Sequence, residues 1–469
     1  MNISTRNEIE LKNKNVIVIG LGKSGCGAAK LAHYLKANVF VSDQKNGIEL
    51  EKNLSMMRSI GVDGEIEGHS EKIYDADLWV ISPGVPQNAP IIVKAKERNI
   101  PIVGEIEFSS WFTSAPILAI TGSNGKTTTA HALTEMCKTK ETHGVLAGNV
   151  GIPFSEKVLE DLKASDPKRI FILEISSFQM EFILHFKPFI SLFLNITPDH
   201  LDRYETMEEY ESAKLQMIQN QSSDDMIVFN ADDPCFENRF DDYPSTIIPF
   251  SLYKKENVIF SVNQSKIYTQ ENDKLIYLNK IALPGKHNLS NLLAAATVAH
   301  FMHIPNKHIE KIMATFTGVP HRLEPVVTLQ GVDYVNDSKA TNIDSVKVAL
   351  DSFNKSIILI LGGQYKGGNF KKLLPHANNI KAVLAYGQAH QTIETALGDA
   401  VRLYIFDNLK DWQIRMEKDP VHFLESDIFP LLADSRKALG NFLGCEGDDL
   451  VYYPNPTHAV NAVARSLKL

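Results

Sequence analysis

The chain has 469 residues, room for roughly two to four domains of ordinary size and too many for a single core. Hydrophobic residues make up 44% and charged residues 22%, a globular balance that excludes wholesale disorder. Lysine and arginine total 48 against 56 acidic residues, so a net charge of −8 gives no electrostatic footprint for nucleic acid or an anionic membrane. A local anion site built from a few placed lysines stays open.

The four cysteines, Cys26, Cys137, Cys235 and Cys445, lie far apart. Their spacing offers neither a zinc knuckle nor a redox pair and points to a reducing compartment. Met1 to Asn15 is polar and mixed in charge, and the apolar run Val16–Ile19 is too short for a signal-peptide core or a membrane span. The expectation is a cytoplasmic protein.

Along the chain, short β-branched runs alternate with turns containing Gly, Asp or His and with helical patterns. The runs are Asn15–Gly20, Asn38–Asp43, Asp77–Ser82, Ile117–Thr121, Ile170–Glu174, Ser191–Thr197, Ser356–Gly362 and Lys381–Gly387. Apolar on both faces, they predict buried parallel strands and an α/β class with open sheets. Val258–Val262 and Lys274–Leu278 predict antiparallel hairpins instead. Linker-like stretches at Phe112–Pro116 and Phe316–His321 divide the chain into α/β units at 1–113, 114–317 and 318–410, followed by a tail at 411–469.

In the first unit Gly20-Leu-Gly22-Lys23-Ser24-Gly25 stands between a strand and a helix, and Asp43 ends the next strand. That is the dinucleotide fingerprint, acidic residue included. Such a turn reads a pyrophosphate at a helix N-terminus. A nucleotide-sugar diphosphate serves as well as NAD, so an NAD-dependent oxidoreductase is one reading of this motif.

The second unit has the sharper signal. Ile117–Thr121 runs into Gly122-Ser123-Asn124-Gly125-Lys126-Thr127-Thr128 at the start of a helical pattern. Glycines let main-chain N–H groups close on phosphate oxygens, and the helix N-terminus adds positive charge. Lys126 would reach the β- and γ-phosphates and Thr127 would ligate Mg²⁺. The usual spacing wants a glycine where Ile120 stands, so this is a shortened loop. A tight turn with a solvated lysine is the minority alternative. Two more strands deliver Glu174 and, beyond Thr197, Asp199-His200-Leu201-Asp202-Arg203. Ligands in open α/β sheets sit at the carboxyl ends of strands, so Glu174 and His200 converge on the loop in this reading. Mg²⁺ suits the carboxylate better than the imidazole. Lys214, in a helical pattern, reads by itself as a solvated lysine.

Gly285-Lys286-His287-Asn288-Leu289-Ser290-Asn291 opens another helix, where base contact and helix capping carry equal weight. In the third unit Pro320-His321-Arg322 precedes Asn336-Asp337-Ser338-Lys339-Ala340-Thr341-Asn342, which reads either as a turn plus helix cap or, with Lys339 and Lys366, as an anion site.

Taken in order, these segments resemble the Mur ligase family over about residues 10–407. Thr121–Thr128, Gly148-Asn149-Val150-Gly151, Glu174–Gln179, Asp199–Tyr204, Asn230–Asp233, Gly285–Asn291, His321-Arg322 and Asn336–Asn342 carry the likeness, which is to the family's D-glutamate-adding branch. The resemblance implies a Rossmann-like N-terminal unit, a P-loop ATPase-like central unit and a Rossmann-like C-terminal unit. It implies an ADP-forming ligase joining D-glutamate to UDP-N-acetylmuramoyl-L-alanine through an acyl phosphate, in peptidoglycan precursor and cell wall synthesis. Gly122 to Thr128 would hold the triphosphate, with Asn291, Arg322 and Asp337 as further ATP contacts. Thr127 and Glu174 resemble ligands of one Mg²⁺, and His200 with a carbamylated Lys214 those of a second. Lys126, His200 and Lys214 are the implied catalytic groups. Lys23, Ser24, Asp43, Gln44, Lys45, Gly84 and Asn149 match the UDP-substrate site, and Lys339, Thr341 and Lys366 positions that close over nucleotide or hold D-glutamate. The implied partners are small molecules, with a monomer expected.

Beyond about Asn408 this likeness stops. The family ends in a strand running into a Ser-Pro-rich loop beside the D-glutamate site, whereas Leu450–Tyr453 here runs into Pro454-Asn455-Pro456-Thr457-His458. Trp412–Leu469 is similar instead to the opening stretch of class V pyridoxal-phosphate aminotransferase-like proteins. A homologue that binds nucleotide but does not turn over, through replacement of that loop, is the second reading.

Overall fold

A computed structural model describes residues 9–199, 203–253, 256–271, 273–319, 323–329, 332–340, 342–353, 356–363 and 369–406. His200, Arg322, Thr341, Lys366 and the tail from 411 onward lie outside them. The chain divides between Gly318 and Val319 into two compact units.

The first unit begins with β1 (Asn15–Ile19), α1 (Lys23–Tyr34), β2 (Asn38–Ser42), α2 (Ile48–Ser59) and β3 (Asp63–Glu65). It continues with β4 (Leu78–Ile81), α3 (Pro90–Glu97), β5 (Ile102–Gly104) and α4 (Glu105–Ser110). The five strands form one parallel sheet in the order β3-β2-β1-β4-β5. β1 and β4 are buried along nearly their whole length, which is why both read as continuous apolar runs rather than alternating ones.

A second parallel sheet follows, built from β6 (Ile117–Thr121), α5 (Lys126–Met136), β7 (His143–Gly148), α6 (Phe154–Lys163) and β8 (Arg169–Glu174). It is completed by α7 (Ser177–Met180), β9 (Ile190–Phe193), α8 (Met207–Leu215), β10 (Met226–Asn230) and β11 (Thr246–Phe250). The order β11-β10-β9-β6-β8-β7 puts β6 in the middle, with β8 and β9 on either side. The chain therefore leaves the strands in opposite directions around the carboxyl end of β6, a topological switch point. β12 (Phe260–Asn263), β13 (Lys266–Thr269) and β14 (Lys274–Tyr277) make the expected antiparallel meander. α9 (Lys286–Phe301) and α10 (Asn306–Thr315) close the unit.

The β9 run differs from its sequence reading. The strand stops at Phe193 rather than Thr197 because, after Leu194 N has donated to Thr121 O at the end of β6, Asn195 and Thr197 bond to the loop after β6 instead of to a neighbouring strand. Asn195 O accepts from Ser123 N at 2.9 Å, and the Ser123 hydroxyl donates to Thr197 O at 2.8 Å while accepting from Thr197 N at 2.9 Å.

One apolar cluster runs through both sheets, from Leu11, Val16 and Val18 through Phe108 and Trp111 to Phe171, Phe193 and Phe240. Two buried carboxylates on α4 reinforce it. Glu105 accepts from Ser155 N at 2.6 Å in the first turn of α6. Glu107 accepts from the main-chain N–H groups of Leu184, His185 and Phe186 at 2.7–3.0 Å and from Trp111 Nε1 at 2.6 Å.

The second unit contains an antiparallel hairpin, β15 (Glu324–Leu329) with β16 (Val332–Asn336), and a parallel sheet in the order β17 (Ile357–Gly362), β18 (Ile380–Tyr386), β19 (Leu403–Phe406). α11 (Ile343–Asp351) and α12 (His390–Leu397) pack their apolar residues, Val346, Leu350, Ile393 and Leu397, into its core.

Candidate functional site

The loop between β6 and α5 is fixed from several sides. Gly125 caps α5 at φ +88°, ψ −16°, a left-handed conformation that glycine adopts without strain. A Cβ there would lie 2.3 Å from Asn291 Oδ1 of α9, so the backbone and that amide are in close approach. Asn124 N donates to Asn195 Oδ1 at 2.8 Å, and Asn195 Nδ2 returns a bond to Asn124 O at 2.9 Å. Lys126 Nζ donates to Gly122 O at 2.6 Å and Ser123 O at 3.0 Å. Ser123 and Thr127 are buried beside them, and Thr128 Oγ1 is buried without a hydrogen-bond partner.

Glu174 ends β8, in register with Ile120 one residue before Thr121. It is 2% exposed, and its two oxygens are treated differently. Oε1 accepts from Asn149 Nδ2 at 2.9 Å, and Asn149 N also donates to Glu174 O at 2.8 Å. Oε2 is buried with no hydrogen-bond partner. A desolvated carboxylate oxygen left in this state is costly unless a cation or another donor meets it. Thr127 and Glu174 thus offer the hard oxygen donors Mg²⁺ prefers. Among the described residues no group of three His, Cys, Asp or Glu side chains gathers into a metal cage. A divalent ion here would draw its remaining ligands from phosphate and water, as Mg²⁺ commonly does.

Lys214 projects from α8 into the same region and is 1% exposed. Its Nζ donates to Gly122 O at 3.2 Å and lies 4.4 Å from the Tyr210 ring centroid. Burial, and then the neighbouring Lys126, hold its pKa well below the ordinary lysine value, with Asp199 opposing. Tyr210, whose hydroxyl is 3.2 Å from Ser123 Oγ, is pushed upward by burial. Lys126, Thr127, Glu174, Asn291 and Lys214 therefore gather around one loop, although they come from four different segments.

At the carboxyl edge of the first sheet, Asp43 accepts from Leu21 N at 2.7 Å and Lys45 N at 2.9 Å, so it anchors the glycine turn to its own strand end. Gly20 has φ +96°, and a Cβ on it would meet Ser82 Oγ at 2.6 Å, which brings the Ser82-Pro83-Gly84 loop against the turn. Lys23, Gln44, Lys45, Gly84 and Asn149 are exposed, and Ser24 is half-buried. In the second unit Asp337 Oδ1 accepts from Leu323 N at 3.1 Å, and Asn342 caps α11 by accepting from Ser345 N at 2.8 Å. Lys339 is half-buried there.

The sequence reading passed over Asn195, Tyr210, Glu181 and Arg203. Asn195 and Arg203 stood inside runs already singled out, and a polar residue just past a central strand was the available signal. Glu181 has none.

A parallel α/β sheet whose central strand feeds a glycine loop, with a buried carboxylate on the adjacent strand, defines a nucleotide-phosphate-binding protein. Residues 14–104 match the Mur ligase MurD-like N-terminal domain and residues 120–299 the Mur ligase middle domain. The chain is similar to the UDP-N-acetylmuramoylalanine--D-glutamate ligase of Christiangramia forsetii, 40% identical over 395 residues, which span 83% of this chain and 87% of that protein. It is also 40% identical to the ligase of the same name from Geobacillus sp., over 80% of this chain and 83% of that one. The fold resembles MurF ligase from Thermotoga maritima, solved in complex with ADP, at a TM-score of 0.53 and 15% identity, over 88% of this chain and 90% of that one. The chain belongs to the Mur ligase family.

Proposed function

We propose that the chain is an ATP-dependent, ADP-forming ligase that joins D-glutamate to UDP-N-acetylmuramoyl-L-alanine in peptidoglycan precursor synthesis. The observation that carries this reading beyond likeness is the convergence of the β6–α5 loop, Lys126 and the half-satisfied Glu174 at one switch point. A carboxylate resists attack by an amine because its charge and resonance repel nucleophiles. Transfer of the γ-phosphoryl of ATP to the alanyl carboxylate, releasing ADP, gives an acyl phosphate. The D-glutamate amine then attacks the acyl carbon, phosphate leaves, and an amide remains.

Most of the catalysis in such a transfer is positioning and charge neutralisation. In this assignment residues 122–128 hold the triphosphate, through the N–H groups that follow Asn124, since those of Ser123 and Asn124 donate to Asn195, and Lys126 follows the phosphoryl as charge moves onto it. Asn291 and, from the second unit, Arg322 and Asp337 are assigned to ATP. Thr127 and Glu174 would hold Mg²⁺, which neutralises phosphate oxygens when bound. His200 and Lys214 are assigned to a second ion. A buried amine with a lowered pKa is neutral and nucleophilic, which suits it to capture CO₂ as a carbamate and become an anionic ligand. Lys23, Ser24, Asp43, Gln44, Lys45, Gly84 and Asn149 are assigned to the nucleotide precursor, and Lys339, Thr341 and Lys366 to closure or D-glutamate. The domain division follows the same scheme: precursor domain 1–113, ATP domain 114–317, ligase domain 318–410 and an atypical tail.

Among the described residues no helix is long and apolar enough to cross a membrane. The reading takes the chain as a cytoplasmic monomer acting on small molecules. Phosphate release with ATP, Mg²⁺ and UDP-N-acetylmuramoyl-L-alanine tests it. Release that depends on D-glutamate supports the ligase. Binding of both nucleotides without D-glutamate-dependent release would mark a disabled homologue, with the replaced C-terminal segment as the cause.

A further inference from the structure

The segment after Asp199 carries a guanidinium that touches three parts of the first unit at once. Arg203 Nε donates to Glu181 Oε1 at 3.0 Å and its terminal nitrogen to Glu181 Oε2 at 2.6 Å, a two-point fork. The same side chain donates to Pro83 O at 3.3 Å and Val85 O at 3.4 Å, in the loop that carries Gly84. Its face lies 4.4 Å from the Phe178 ring centroid, and Phe178 in turn stacks on Tyr204. Tyr204 adds a third bond to Glu181, from its hydroxyl at 3.0 Å. Gln87, beyond that same loop, donates to Glu181 O at 2.8 Å. Glu181 is 7% exposed and Arg203 18%.

The positions joined are informative. Glu181 follows α7, seven residues after Glu174. Pro83 and Val85 flank Gly84 at the carboxyl edge of the first sheet. Arg203 itself follows the Asp199–Asp202 segment. A half-exposed ion pair contributes little stability, but a planar fork buried among main-chain carbonyls fixes direction as well as distance. Substrates assigned to the two sheets must meet with reacting atoms within roughly 3–3.5 Å.

We propose that Arg203, held by Glu181, is a positioning residue: it sets the Pro83–Val85 loop, and with it the nucleotide precursor, relative to the phosphate loop. This rests on the ligase reading above. Lysine at 203 keeps the charge and loses the fork, so Arg203→Lys removes the direction while sparing the buried carboxylate an unpaired state. Glu181→Gln makes the complementary change.

The test compares wild type, Arg203→Lys, Glu181→Gln and, as a control, Arg98→Lys, which alters an exposed pair with Glu71 on the first sheet. Calorimetry gives the affinities for UDP-N-acetylmuramoyl-L-alanine and for ATP, and phosphate release gives kcat and KM. We expect both site variants to bind the precursor at least ~10-fold more weakly and to lose kcat, with ATP affinity within two-fold of wild type and melting within a few degrees. Arg98→Lys should match wild type. Precursor affinity and kcat within two-fold of wild type in both variants would overturn the inference. Equal losses for ATP and precursor would also overturn it, because they signify general loosening. If one variant fails to fold, the other decides by the same criteria. A wild-type chain without D-glutamate-dependent release fails the ligase reading instead, and the two affinities still decide the role of Arg203.

Discussion

Gly125 is where backbone geometry and ligand chemistry meet, and Gly125→Ala perturbs both by a calculable amount. At φ +88° an alanine costs roughly 1–2 kcal/mol, because its Cβ crowds the following carbonyl. Its Cβ would also stand 2.3 Å from Asn291 Oδ1 and 3.0 Å from Asn291 Cγ. Ordinary contact needs about 3.5 Å, so the loop or the amide must move by about 1 Å. Asn291 is nearly buried on α9, and overpacking of that kind costs roughly 1–3 kcal/mol. The sum, about 2–5 kcal/mol, lowers the melting temperature of a unit ending at Gly318 by roughly 3–8 °C. Displacement of an N–H donor from a phosphate oxygen removes a charge-assisted bond, so ATP affinity should fall at least ~10-fold. The decisive assay is a double-mutant cycle in chemical denaturation. In an Asn291→Ala background the clash is gone and Gly125→Ala should cost only the φ component, about 1–2 kcal/mol. Additivity of the two substitutions within ~0.5 kcal/mol would refute the contact argument.

Two further outcomes follow from the buried groups beside the loop. Glu174→Gln keeps the bond to Asn149 in reach but removes the anionic oxygen, so Mg²⁺-dependent phosphate release should fall by ~100-fold or more, while magnesium-free nucleotide binding, read by calorimetry, is unchanged or tighter. Lys214 binds fewer protons in the folded state than in the unfolded chain, from its depressed folded pKa up to the ordinary lysine value of 10.5. Its destabilising effect is therefore largest at low pH and fades as pH rises through that interval. Urea unfolding in chelator and without bicarbonate should show Lys214→Met more stable than wild type, with the gap narrowing toward pH 10; a gap that widens contradicts the assigned burial.

Much of this architecture was written in local pattern. Strands buried on both faces announce themselves as unbroken apolar runs, and the loop from Gly122 to Thr128 is legible because its glycines answer to backbone geometry at their own positions. β9 misled because Leu194 to Thr197 alternate as a strand would, whereas Asn195 and Thr197 bond to a loop some 70 residues earlier and Ile196 N to the Asp233 carboxylate. Lys214 is similar: on a helix with acidic neighbours it looks solvated, and its burial arises from the packing of α8 over the β6–α5 loop. Resemblance rather than pattern pointed to it. The pairing of Arg203 with Glu181 depends on two loops meeting, and nothing in either segment's composition signals the partner. Asp43, which the fingerprint assigns to ligand, also anchors its own turn, a role that becomes visible only with coordinates.

The carboxylates of α4 bear on how the first 318 residues come apart. Glu107 gathers three consecutive main-chain N–H groups from the far side of the segment at Phe112–Pro116, besides the Trp111 indole on its own side, and Glu105 holds the opening of α6. The apolar cluster likewise crosses that segment without a break. A cut there severs the chain but not the core, so neither sheet is a self-sufficient module. Heating should release the two together, as one cooperative transition in calorimetry, and the excised first sheet would expose Phe108, Trp111 and two uncompensated carboxylates to water.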